Sequence, residues 1–346
     1  METKGIYIYG IVPNFYSGDL FRALKESGVY FISSGNISAI VSDRESTFFD
    51  FSDRESLAYQ LVHHQQTIEK IMGIGFNIIL PMKLGTIVGS KDEVLTILTK
   101  GQDLIKTTLE KIEFLTEIDL AVTWGDFGKT LNEIASHPEI VEMRDSLLKN
   151  IDLVSQIDQV KVGMLIQEKL EAKNKQVELK ILETLSKLSV DIKMHEVMDG
   201  QMVTNSAFII NRNKKELFEN GIYQLDEEFD GLLNFKMVGP LPCYSFYTLE
   251  VKKLDPDHIA QAKMELGLRD EATETEIKKA YIGKAKLFHP DVISPNGNQD
   301  RFTRISKAYH ELLDYSAAMQ QSSKDEFMSR NSGNSTEDLI LVKIKD

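Results

Sequence analysis

The stretch from Thr273 to Pro290, TETEIKKAYIGKAKLFHP, carries both ends of a helix in its sequence. Thr273 and Glu276 stand at capping-box spacing, where each side chain satisfies a backbone amide of the other's residue. Ile277, Tyr281, Ala285 and Phe288 recur at one-turn intervals and form a single apolar stripe. Pro290 has no amide donor and restricts the residue before it, which closes the helix. Downstream, Phe302, Ile305, Ala308, Tyr309 and Leu312 make a second stripe. Two antiparallel helices sharing one buried seam follow. The face away from that seam carries Lys278, Lys279, Lys284 and Lys286, a positive surface suited to an acidic partner.

That surface is an exception in a chain of 346 residues and formal net charge -13. The acidic balance argues against a nucleic-acid binder, which needs net attraction to phosphates. The length predicts two or three compact units. Cys243 is the only cysteine, so neither an intramolecular disulfide nor a thiolate metal cluster can form within one chain. The first residues, METKGIYIYGIVP, lack the features of a secretory signal, and no apolar run approaches the ~18 to 20 residues of a membrane span. A soluble cytoplasmic protein is expected.

Ahead of the helical pair the patterning is mixed. Gly5 to Val12 reads as a buried strand stopped by Pro13. Residues 17–27 read as a helix, and residues 29–42 as a hairpin turning at Gly35-Asn36. A long helix over 53–72 places Leu57, Leu61, His64 or Gln65, Ile68 and Ile71 or Met72 on one face. Pro81 marks an edge or bend in the apolar run after it, and Ser90 with Glu93 opens a helix through residue 114. Residues 117–125 alternate as a strand. Helices then fill 127–190, with breaks at His137-Pro138 and near 151–158. A strand at 201–213, a helix at 214–231 and two strands about a Pro-Gly bend complete an order compatible with a split βαβ, ferredoxin-like arrangement. The polar stretch 320–338 has the composition of a mobile tail, and LILVKIKD after it alternates like a strand able to extend a sheet edge.

Residues 257–315 resemble a J domain, the module by which DnaJ-type co-chaperones engage an Hsp70 chaperone. AKMELGL resembles its first helix, ATETEIKKAYIGKAKLFHPD the second helix and loop, and RFTRISKAYHELLD the third. The resemblance implies that His289, Pro290 and Asp291 form the loop that stimulates Hsp70 ATP hydrolysis, with Lys278, Lys279, Lys284 and Lys286 as the docking face. Lys263, Glu265 and Phe288 depart from the usual residues, and a fourth short helix is barely recognisable in SAAMQQSS.

The first ~252 residues resemble the gas-vesicle protein F and L family, through GIYIYGIVP, LVHHQQTIEKIMGIGFNIILPMKLGTIV, VTWG, NSAFIINRNKKELFENGI and VGPLPCYSF. The expected fold is therefore α+β: an N-terminal α/β domain over 1–115, a ferredoxin-like second domain with long helices over 116–252, a small all-helical J-like domain over 253–318, and a polar tail with a terminal strand over 319–346. The resemblance implies a gas-vesicle assembly factor, in some members a minor shell component, that binds the small hydrophobic shell protein and other gas-vesicle proteins. The J module implies Hsp70 (DnaK) as a further partner. No cofactor, metal, nucleic acid or membrane is expected, nor an enzymatic activity. The alternatives are a client-specific co-chaperone unconnected with gas vesicles, and an enzyme using a cleft between the front domains.

Other constellations read as structure. His63 and His64 are adjacent on a helix and face about 100° apart, unlike paired ligands one turn apart. Gly73, Gly75 and Gly85 are stop and turn residues without a phosphate-loop pattern. Cys243 reads as a buried small hydrophobe and LDEEFD as a solvated acidic face. Tyr244, Phe246 and Tyr247 read as core packing near Trp124 in an adjacent strand.

Overall fold

The computed structural model describes residues 4–14, 28–45, 54–149, 155–269, 271–289, 299–328 and 339–345. The helix expected over 17–27 lies outside them. Two compact units emerge: Met1–Glu110 together with Tyr247–Asp346, and Lys111–Phe246. The division expected at 252/253 falls inside a strand of the first unit.

The first unit is built on β1 (Lys4–Pro13), β2 (Tyr30–Ser34), β3 (Ile37–Glu45), β4 (Leu80–Pro81) and β5 (Ile87–Val88). The sheet runs in the order β2-β3-β1-β4, with β5 also against β1, and all pairs are antiparallel. Gly35 and Asn36 make the two-residue turn between β2 and β3, with Gly35 at φ 57°, a left-handed conformation that glycine adopts without strain. Pro81 ends the short β4, where its missing amide costs no ladder bond. In helix α1 (Arg54–Ile74) the expected stripe holds at His64, Ile68 and Ile71 and fails in the first turns. Leu57 and Leu61 are exposed, and the buried face is Gln60, His64, Thr67, Ile68 and Ile71. The sheet accounts for the difference, because Tyr7 and Tyr9 of β1 both meet His64 of α1: the Tyr7 hydroxyl lies 2.7 Å from His64 Nδ1, and the Tyr9 ring stacks on the imidazole with centroids 5.5 Å apart.

Ser90 caps α2 (Lys91–Lys100) by accepting from the Glu93 amide at 3.2 Å. The single helix expected through 114 is broken at Gly101, and α3 (Gln102–Ile112) follows. A Cβ on Gly101 would lie 2.8 Å from Val342 Cγ1 and 3.0 Å from the Ile97 carbonyl, so any side chain there would force Val342 to shift.

The second unit has β6 (Leu115–Trp124), β7 (Asp191–Met194), β8 (Met202–Asn211) and β9 (Leu233–Leu241) in the antiparallel order β7-β8-β6-β9. With α6 (Gln156–Leu185) between β6 and β7, and α7 (Lys215–Phe229) between β8 and β9, the order is βαββαβ, the ferredoxin-like arrangement. Ile118, Leu120, Val122 and Trp124 of β6 pack with Ile181, Leu185, Phe218 and Leu225 of the two helices in one core. Before α6 come α4 (Phe127–Ala135) and α5 (Pro138–Leu148), separated at His137-Pro138; they form a satellite core on α6 through Ile134, Ile140 and Leu170. Trp124 pairs with Leu233 at one end of β6, whereas Glu117 pairs with Leu241 at the other. Tyr244, Phe246 and Tyr247 therefore do not adjoin Trp124 as the sequence suggested, and the Trp124 indole donates instead to Asn174 Oδ1 at 2.8 Å.

The chain returns to the first unit as β10 (Leu249–Leu254), α8 (Pro256–Leu266), α9 (Glu274–Phe288), α10 (Gln299–Met328) and β11 (Leu339–Ile344). Helix α8 begins six residues before the expected start, because Asp255 caps it and Pro256 fills its first turn. Helix α10 continues through the stretch expected as a fourth short helix and the start of a mobile tail. The terminal strand pairs with β10 of its own chain, antiparallel from Leu249↔Ile344 to Leu254↔Leu339.

Candidate functional site

Helices α8, α9 and α10 share a core of Ile259, Ala262, Leu266, Ile277, Ile305, Ala308 and Leu312. The capping box is formed: Thr273 Oγ1 receives the Glu276 amide, and Glu276 Oε2 receives the Thr273 amide at 2.8 Å. Those hydrogen bonds hold the Glu276 carboxyl below the usual carboxylate range. Tyr281 and Tyr309 stack across the seam, ring centroids 4.2 Å apart and 13° from parallel. These contacts fix where α9 begins and hold it against α10.

His289 stands at the other end, as the C-cap of α9, and is exposed. Its ring meets Phe302 edge to face at 5.5 Å, and the Arg301 guanidinium lies 4.1 Å from the centre of the Phe288 ring. Both contacts join the end of α9 to the start of α10. Pro290 and Asp291 lie outside the described residues. Lys278, Lys279 and Lys286 are exposed on the outward face of α9. Lys284 is placed differently from that expectation: its ammonium donates to the Glu265 carbonyl at the end of α8, where a cation suits the negative end of the helix dipole. Lys263, one of the unusual residues of the first helix, sets its ammonium 5.1 Å from the Tyr315 ring.

The second unit holds a separate buried polar cluster. Glu117, 1% exposed, accepts from the Ser245 amide at 2.9 Å and the Ser245 hydroxyl at 2.8 Å. His195 Nε2 lies 3.2 Å from that hydroxyl. Burial pushes the Glu117 carboxyl up to about 8, helped by the neighbouring Asp119 charge. Burial also raises Asp119, and pushes the Cys243 thiol up to about 12, which keeps it a thiol at neutral pH. Among the described residues no group of three or more His, Cys, Asp or Glu side chains is placed to hold a metal ion. No helix among them is long and apolar enough to cross a membrane.

Comparison with known proteins divides the chain after residue 248. Residues 5–248 match the family model of the gas vesicle synthesis protein GvpL/GvpF. The chain belongs to that family. Residues 264–320 match the DnaJ domain, so this GvpL/GvpF family member carries a J domain behind its body. Similar proteins include gas vesicle protein F of Nostoc sp., 21% identical over 246 residues that make up 70% of this chain and 98% of that one. Gas vesicle protein F of Dolichospermum flosaquae is 21% identical over 71% of this chain and 98% of its own. The chaperone protein DnaJ 1 of Aquifex aeolicus is 39% identical over 66 residues, 19% of this chain and 17% of that protein. The crystal structure of GvpF from Anabaena sp. PCC7120 superposes with a TM-score of 0.59 at 21% identity, covering 70% of this chain and 97% of that one. GvpF from Microcystis aeruginosa gives 0.58 at 19%, covering 70% and 99%. These structures share the fold of the family member's body.

Sequence reasoning missed the residues that seat the J domain. Asp314, on α10, receives Lys252 of β10 at 2.9 Å and Lys343 of β11 at 2.8 Å. The alternation in LILVKIKD was the signal available, since a strand there had to find an edge and bring α10 with it.

Proposed function

We propose that this family member is a gas-vesicle assembly factor, working in the cytoplasm at growing vesicles. Its body binds the small hydrophobic shell protein, and its J domain recruits an Hsp70 that keeps that subunit competent for assembly. The observation that carries the reading is a formed J-domain core that leaves His289 and the Lys278, Lys279 and Lys286 face exposed, on a body of the GvpL/GvpF family. The role is one of binding and delivery, with ATP hydrolysis performed by the Hsp70 partner.

The test pairs a biochemical and a cellular readout. The intact protein should raise the single-turnover ATPase rate of a bacterial Hsp70 and capture the shell protein in a pull-down. His289→Gln should return the ATPase to its basal rate while leaving shell-protein capture unchanged, and should lower vesicle yield. Unchanged ATPase stimulation and unchanged yield in that variant would overturn the Hsp70 step. Failure of the intact chain to capture the shell protein would overturn the client step.

A further inference from the structure

The GvpL/GvpF match ends at residue 248, the DnaJ match spans 264–320, and the strand pair β10–β11 lies outside both. The J domain is thus bracketed: β10 runs into α8 through Leu254 and Asp255, and α10 is followed by β11, which returns to β10 along its whole length. A module appended at a chain end has one attachment. This one has two.

The bracket is tied on both sides. Toward the J domain, Asp314 of α10 binds Lys252 and Lys343, one lysine from each strand, and its carboxylate is only 15% exposed. Burial opposes ionisation of Asp314, but hydrogen bonds from Lys343 and Lys252 prevail and hold the carboxyl below its ordinary range. Gln321, two turns further along α10, covers the outer edge of β11: its amide donates to the Val342 carbonyl at 2.7 Å and accepts from the Val342 amide at 3.3 Å. Ala318 packs between Leu254 and Leu341. Toward the N-terminal sheet, Lys253 binds Glu93 of α2 at 2.8 Å, the Lys83 amide donates to the Leu249 carbonyl at 2.9 Å, and the Lys83 ammonium pairs with Glu250. Val342 itself rests against Gly101 between α2 and α3.

We propose that the strand Leu339–Ile344 is a strap that fixes the J domain on the N-terminal domain, so that an Hsp70 engaged at His289 meets the N-terminal domain in one orientation. The mechanical claim stands on these contacts; its consequence for Hsp70 rests on the function proposed above. Removing β11 takes away half of a two-stranded ribbon together with the Lys343 and Val342 contacts, which leaves β10 and the touch of α10 on α2 and frees the J domain to swing.

The full chain permits a direct test, since Cys243 is buried and does not compete for thiol labels. Spin labels on Lys91→Cys in α2 and Thr275→Cys in α9, both exposed, report the distance between the two domains by pulsed electron resonance. One narrow distribution is expected in the labelled chain. Deletion of 339–346 and the charge reversal Asp314→Lys should each abolish the narrow peak. Combining Asp314→Lys with Lys252→Asp and Lys343→Asp should restore it, which separates loss of the strap from loss of folding. A broad distribution in the labelled chain, or a narrow one that survives both variants, would overturn the strap. The reading of function fails differently: an intact chain that leaves Hsp70 ATPase at its basal rate removes the consequence for Hsp70 and leaves the distances to decide the strap.

Discussion

Glu117 shows how one residue can set the direction of a pH dependence. Its carboxyl is buried at the end of β6, tied to Ser245, and titrates at about 8 against an ordinary value of 4.5. Between those values the folded chain holds a proton that the unfolded chain has released. The contribution is therefore fully present below pH 4.5 and is lost as pH rises through about 8, on the order of 1.4 kcal/mol per pH unit. His64 runs the opposite way. Burial lowers it to about 4 from 6.5, so its contribution is present above pH 6.5 and is lost as pH falls toward 4. Glu117→Gln keeps an oxygen for Ser245 and an amide for Asp119 while removing the titration. Urea melts at pH 6 and pH 8.5 should show the wild type losing stability across that interval and the variant losing much less. An equal loss in both would assign the alkaline slope to other groups.

At the scale of elements, what was legible is what a segment decides alone. The capping box of α9, the stop at Pro290, the Gly35-Asn36 turn and the breaks on either side of α5 depend on neighbours in sequence, and the strands and helices stand where those signals put them. The stripe of α1 holds at His64, Ile68 and Ile71 but not at Leu57 and Leu61, because burial there is decided on a strand far away in sequence, where Tyr7 bonds His64 and the Tyr9 ring stacks on it. Lys284 was grouped with the outward lysines for the same reason: its partner is the last turn of α8, invisible to a pattern read along α9 alone. The need for glycine at 101 belongs to this class, since the crowding there comes in part from Val342, more than two hundred residues on. Gly101→Val should accordingly cost about 1–3 kcal/mol by overpacking. Ile305→Ala, which opens a cavity in the J-domain core at a fully buried site, should cost about 2–5 kcal/mol. Thermal melts followed by circular dichroism measure both. A Gly101→Val chain as stable as the wild type would mean that Val342 can withdraw without loss, and with it the seat of β11.

For the whole molecule, the governing quantity is the contrast between a net charge of -13 and the lysines on the outward face of α9. A chain this acidic repels an acidic partner at long range, so approach is productive only along the direction in which the basic face is presented. The two attachments of the J domain give that direction a fixed relation to the N-terminal sheet, which a single flexible tether would not. Electrostatic steering acts on encounter more than on the final contact. Reversing Lys278, Lys279 and Lys286 to Glu should therefore slow association with Hsp70 by about ten-fold or more at low salt. The dissociation rate should change far less. At about 1 M salt, where charges are screened beyond about 3 Å, wild type and variant should converge. Association and dissociation rates measured across a salt series decide it. Convergence assigns the lysines to steering, whereas a deficit that persists at high salt and appears in the dissociation rate would assign them to direct contacts in the bound complex.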